Sequence, residues 1–357
     1  MTRITVFGTP DAANLRETVK PLRSSGIPRA APGVYITAIE QRSLAMTDLS
    51  QIPEDKLAIV KALASFAVKP AFRTPVHKTP SDHGITDWED IYFKSDDGTG
   101  LEGWYVRAQG GESDKLIVMN HPMPMSRSGF TGHFGEPWSQ VDDIEIDFVA
   151  HIAHLARAGY NVLAYDLRNH GNSSAANGGI CGIGRYEWRD CVGAKTYIDA
   201  HPRLKTMAVG LYSQCTGGNA QYEAISRRPD LFENVRCMLS PLVVSMTALM
   251  GRFATLQGVG AYMEAMDFEQ KKLGGFSNPE MTPHLFAGDV TMPTLLMQVR
   301  EDLWTTPEDG QKTFDLLGSN EKDIIWVEGT TRRFDGYNHF GQNPERMVAW
   351  FNKYMQR

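Results

Sequence analysis

The sequence predicts an α/β chain built on a mostly parallel, doubly wound sheet, and three observations carry that prediction. Short apolar runs alternate with helix-length segments from Trp88 onward, the rhythm of a sheet covered by helices on both faces. Some runs, such as Lys115–Asn120, are almost continuously apolar, as expected of strands buried on both sides. The third observation is Val209-Gly-Leu-Tyr-Ser-Gln-Cys-Thr-Gly-Gly-Asn-Ala220, where a strand passes directly into a helix.

The 357 residues allow one large or two medium domains with an ample core. A net charge of −6 offers no basic face, so nucleic acid is not an expected partner. The four cysteines, Cys181, Cys191, Cys215 and Cys237, form no CxxC pair and no Cys/His zinc spacing. Neither a disulfide framework nor a metal site is indicated, and no cofactor is expected. A working thiol would suit a reducing compartment. Met1–Pro10 lacks the apolar run of a signal peptide, and no stretch reaches membrane-spanning length. The expectation is a soluble, cytoplasmic protein with no membrane partner.

Residues 1–85 read as an N-terminal extension, broken often by Gly and Pro. Asp11–Arg23 fits a short helix. Pro53-Glu-Asp-Lys56 opens a better one, with Pro and acids at its first turn. Leu57, Val60, Leu63, Ala64 and Ala67 give it an apolar stripe, and Pro70, Pro75 and Pro80 form a linker. The extension is expected to serve as a lid, as a contact in a homodimer, or as packing. The core is expected over residues 86–357. Asp90–Lys94 and Leu101–Val106 flank the turn Ser95–Gly98 as a hairpin. Strands follow at Lys115–Asn120, Asn161–Tyr165, Met207–Tyr212, Cys237–Ser240, Pro293–Val299 and Ile324–Val327, with helices at Ile146–Ala158, Glu187–Ala200 and Pro344–Tyr354. Between Pro241 and Asp289 the strand rhythm stops. Met246, Leu249, Met250 and Phe253 recur there at helical spacing, and an insertion at this point covers the strand ends where ligands bind. A Met-rich face makes Met246 and Met250 candidate pocket residues.

The strand-to-helix turn has the form small-x-nucleophile-x-Gly, the nucleophile elbow. With Cys215 as nucleophile the flanks are Ser213 and Gly217, which fit a turn whose arms nearly touch. With Ser213 the flanks would be Leu211 and Cys215, and Leu211 is too bulky. The register therefore selects Cys215.

In order, the motifs are His121-Pro122 after a strand, the Asp166–Ser173 turn, the elbow, an acid after a late strand, and a late His. Over residues 88–357 this resembles the α/β-hydrolase fold. The elbow Cys is similar to that of dienelactone hydrolases and of cysteine-bearing acyltransferases and thioesterases on that scaffold. Two features depart from the pattern: His121-Pro122 replaces the usual His-Gly, and the minimal fold has no counterpart of the N-terminal region. The resemblance implies Asp302 as the acid and His339, in the last loop before the final helix, as the base. Asp335 and Asp309 are outside candidates, read as solvated. Oxyanion donors would be the backbone N–H of Thr216 and, since Pro122 and Pro124 have none, that of Met123. Trp304 beside Asp302 is a further pocket candidate. Arg332-Arg333 reads either as a solvated pair or as an anchor for a substrate carboxylate or phosphate. His121 is read as shaping the oxyanion loop, and His151 and His154 lack the Glu of a zinc HExxH motif. Gly178–Gly184 reads as a loop beside the pocket mouth, not a phosphate loop.

These residues imply a Cys-His-Asp enzyme acting on an ester, thioester or lactone through an acyl-cysteine, with a small-molecule acyl substrate, free or bound to CoA or a carrier protein. An acyl-cysteine is a thioester, open to amines, thiols and carbon nucleophiles. Acyl transfer or cyclisation thus stands beside hydrolysis. A non-catalytic ligand receptor and a C–C bond hydrolase or lyase on the same scaffold are the other readings.

Overall fold

The computed structural model describes residues 49–356, apart from residue 71. Contacts divide the chain into Met1–Ile52 and Pro53–Arg357. Of the first unit only residues 49–52 are described, with the short turn Leu49–Gln51, and the helix expected at Asp11–Arg23 lies outside the described residues. The boundary falls at Pro53 rather than near residue 85, so the second half of the expected extension belongs to the core unit.

Within that unit the described residues form an eight-stranded sheet. Its strands are β1 (Trp88–Lys94), β2 (Gly100–Val106), β3 (Lys115–Asn120), β6 (Asn161–Tyr165), β7 (Ala208–Ser213), β8 (Val235–Pro241), β9 (Thr294–Val299) and β10 (Lys322–Val327). Their spatial order is β1-β2-β6-β3-β7-β8-β9-β10. Only β2 runs against its neighbours, and pairing from β6 to β10 is parallel. A small ribbon pairs β4 (Gly129–Thr131) with β5 (Glu145–Asp147). The longer helices are α1 (Glu54–Val68), α2 (Phe148–Arg157), α3 (Trp188–Ala200), α4 (Thr216–Arg227), α5 (Met246–Leu256), α6 (Met263–Lys272), α7 (Pro307–Leu316), α8 (Arg333–Gln342) and α9 (Glu345–Tyr354).

The strands form where apolar runs predict them, because both sheet faces are covered. Every residue of β6 and β9 is buried. The expected insertion is the helical pair α5 and α6, on which α1 packs. Val60, Leu63, Ala64, Ala67 and Val68 form the buried stripe of α1, close to the stripe its sequence predicts. The structure departs from expectation at the last loop. Residues 333–342 form a helix, not a bent loop, despite Gly336 and Gly341.

Candidate active site

β7 is the fifth strand in spatial order and carries the elbow at its C-terminal end. Cys215 has φ 47° and ψ −115°, a left-handed conformation that costs a residue with a Cβ about 1–3 kcal/mol. Three bonds hold it there: Cys215 N–H to Pro241 O at 2.9 Å, Gly217 N–H to Gln214 O at 2.8 Å and Asn219 N–H to Cys215 O at 2.9 Å. Asn219 also donates to Val244 O at 2.8 Å, tying α4 to the segment that follows β8. A Cβ on Gly217 would lie 2.2 Å from Asn120 Oδ1, so the close approach the motif needs is present. The turn places Cys215 at the N-cap of α4.

Asp302 follows β9 and is buried. It accepts from Trp304 N–H at 2.8 Å, Thr305 Oγ1 at 2.8 Å and Arg333 Nη1 at 2.7 Å. Arg333, the first residue of α8, is 2% exposed. Its guanidinium spans the gap between acid and thiol. Nη2 lies 3.7 Å from Cys215 Sγ and also donates to Leu242 O, while Nε donates to the Tyr337 hydroxyl at 3.1 Å. Tyr337 lines the same cavity as Cys215. Burial alone would favour neutral arginine, but Tyr337, Asp302 and Cys215 outweigh it and raise its pKa. Cys215, Arg333 and Asp302 therefore form a chain in which a guanidinium stands where an imidazole was expected.

His339 is a correction. It lies on α8 but does not line the Cys215 pocket. At about 100° per residue, it stands about 120° around the helix from Arg333 and about 160° from Tyr337. Its ring packs beside Phe340, 5.1 Å between centroids. Burial lowers its pKa against the pull of Glu345. Sequence order put a histidine in the right segment, and helical phase turned it to the wrong side. The signal for Arg333 was its position as the first residue after the β10 loop, with Tyr337 four residues on. Arg332 is the solvated member of the pair, bonded to Asp142 and Asp143.

The thiol opens onto a small cavity of about 50 Å³. Met123, Pro124, Thr216, Met246, Trp304, Arg333 and Tyr337 line it, together with Phe66 and Phe72 from the segment preceding the sheet. Thr216 is the first residue of α4, where N–H groups have no partner within the helix. The structure thus brings Cys215, Asp302, Met123, Thr216, Trp304 and Met246 together. Met250 is fully buried but does not line the cavity, which is a second correction. Asp309, expected to be solvated, is buried instead. Burial raises its pKa to about 6, and it accepts from Ser245 N–H at 3.0 Å.

His121 does shape its loop. Its Nδ1 meets Pro122 O at 2.8 Å, and its Nε2 accepts from Leu167 N–H at 3.0 Å. Burial pushes its pKa down to about 4. The Gly178–Gly184 loop is tied down by Glu187, which accepts from Gly182 and Gly184 N–H, and its Ile183 reaches the cavity. Among the described residues no cluster of His, Cys, Asp and Glu could hold a metal ion.

No family model matches the sequence, and no curated protein matches it. Solved structures do. The Pyrococcus furiosus esterase Pf2001 is 17% identical with a TM-score of 0.59, over 81% of this chain and 99% of that one. GrgF, an alpha/beta hydrolase from Penicillium sp. sh18, is 16% identical with a TM-score of 0.53, over 76% and 99%. The Pyrococcus horikoshii acylaminoacyl peptidase is 16% identical with a TM-score of 0.54, over 78% of this chain and 44% of that one. At such identities the likeness is one of backbone, and with the strand order and the strained elbow it establishes that this chain has the α/β-hydrolase fold.

Proposed function

We propose that the protein is an acyl-transferring or ester-cleaving enzyme that takes an activated acyl group, from an ester, thioester or lactone, onto Cys215 Sγ. One observation carries this reading: Cys215 is held in a strained left-handed conformation at the end of a central strand, where its sulfur faces a cavity. Strain of that kind persists where the surrounding structure over-determines it, and it clusters at working sites. The resemblance to esterases in fold supports the same class of chemistry.

The anion formed when Cys215 ionises adds to the acyl carbonyl carbon, and the carbonyl π pair moves onto oxygen. The N–H groups of Thr216 and Met123 are the donors for that oxyanion. Collapse expels the leaving group with its electron pair and leaves an acyl-cysteine. Arg333, positioned by Asp302, faces the sulfur in place of His339. It cannot serve as a base, because a guanidinium keeps its proton.

The test is intact-mass trapping with a panel of acyl thioesters, lactones and aryl esters. An acyl adduct should map to Cys215 and be lost in Cys215→Ala, with the fold retained. Normal turnover by Cys215→Ala would end this reading.

A further inference from the structure

Resting on that reading, we infer that the site exchanges no proton with its substrates: it accepts acyl groups only from donors whose leaving group departs as a stable anion, and passes them to acceptors that are nucleophilic unaided, water being a poor one. The donors are thioesters and aryl or enol esters. The acceptors are amines, thiolates or stabilised carbanions.

The inference comes from the hydrogen-bond inventory around the sulfur. In a His triad the imidazole takes the thiol or hydroxyl proton, gives it to the leaving group, and later deprotonates water. Here the group in that place is Arg333. Four of its five N–H bonds are committed, to Tyr337, Asp302, Leu242 O and Cys215, and none can be given up. Tyr337 accepts from Arg333 Nε and lines the same cavity. The sulfur thus faces, in Arg333, a group that can only donate.

Among the described residues the cavity supplies no base elsewhere: its lining holds no histidine, aspartate or glutamate. Lys69, exposed at its edge, brings only donors as an ammonium. Asp302 spends its oxygens on Trp304, Thr305 and Arg333.

The steps balance without the protein's help. Cys215 releases its proton to solvent on ionising. The C–S bond forms as the carbonyl π pair moves onto oxygen; when that pair returns, the bond from carbonyl carbon to leaving group breaks and the leaving group carries off its pair. In the second step the acceptor's lone pair forms the new bond to carbon. The C–S pair returns to sulfur opposite Arg333, and any surplus proton on an amine acceptor goes to solvent.

The experiment compares three butanoyl donors on the wild-type chain: the N-acetylcysteamine thioester, the p-nitrophenyl ester and the ethyl ester. Each is run with and without hydroxylamine or cysteamine, after subtraction of the rate with Cys215→Ala. The thioester and aryl ester should acylate Cys215 in a burst. Deacylation should speed up at least about tenfold with acceptor, and the ethyl ester should acylate at least about a hundredfold more slowly, the usual value of general acid–base help. Ethyl ester turnover within tenfold of the aryl ester would overturn the inference. So would an acyl-enzyme that clears in water as fast as with acceptor. Failure of all three donors to acylate Cys215 would instead bring down the acyl-cysteine reading itself, and this inference with it.

Discussion

Replacing Arg333 by Met removes the cation beside the sulfur while keeping a side chain of similar reach. The size of the effect follows from the geometry. At 3.7 Å and an effective dielectric constant near 20, a guanidinium and a thiolate attract by at most about 4.5 kcal/mol. A hydrogen bond to a charged group nets about 1.5–3 kcal/mol, and the N···S contact is long, so the lower half of that range applies. Iodoacetamide alkylation of Cys215 at pH 7 should therefore slow by roughly 10- to 40-fold. Stability falls as well, because Asp302 is left as a buried charge. Breaking such a pair costs about 3–5 kcal/mol, and the bonds Asp302 keeps to Trp304 and Thr305 favour the lower figure. Arg333→Lys retains a charge but not the fork that reaches both partners, so it should fall between Met and wild type. His339→Ala should leave the alkylation rate within about twofold, since general base catalysis worth 10²–10⁴ is not what that residue supplies. Alkylation is followed by intact mass and folding by circular dichroism. A folded Arg333→Met chain alkylated at the wild-type rate would refute the reasoning, and so would a drop of tenfold or more in His339→Ala.

Other expectations follow from single positions. Cys215→Gly should unfold at higher denaturant than Cys215→Ala, by about 1 kcal/mol, because glycine relieves the left-handed strain and gives back part in chain entropy. Equal stabilities would show the elbow unstrained. Gly217→Ala should cost about 1–3 kcal/mol through overpacking against Asn120 Oδ1 and should abolish Cys215 acylation, read by equilibrium unfolding and intact mass. His121 and His170 are held neutral by burial, each with its pKa lowered to about 4. Their ring ¹⁵N shifts should hardly change from pH 8 to pH 5. Because an unfolded histidine titrates near 6.5, the stability from burying these rings neutral is fully present above that pH. It is lost as pH falls toward 4. Asp190 and Asp309, raised to about 6 mainly by burial, act in the opposite sense. Their contribution is present at low pH and lost as pH rises through 6. His121→Phe should therefore flatten the acid limb of a melting-temperature profile, and an unchanged limb would count against the neutral ring.

What could be read from the sequence and what could not divide along a physical line. Cys215 was legible because its placement is a backbone matter. A strand, a small residue at 213 and a glycine at 217 leave few conformations, and the turn they force fixes where the sulfur goes. Asp302 was legible for the same reason, sitting just past the end of β9, where a parallel strand delivers its next residues to the sheet's edge. The partner between them depends on something the motif order does not encode, the phase of a helix. Reading residues 335–341 as a loop freed His339 to point anywhere. Once Arg333–Gln342 is helical, angles of about 100° per residue put Arg333 and Tyr337 on the thiol's side and send His339 away. The clue lay in burial. A guanidinium that is 2% exposed is costly unless paired on several sides, and the pairing it finds is with Asp302, Tyr337, Leu242 O and Cys215. A solvated Arg332 beside a buried Arg333 gives the sequence no contrast to read, since the two residues are identical. Only the first turn of α8 separates them, and it decides whether the sulfur has a proton acceptor or a fixed positive charge for company.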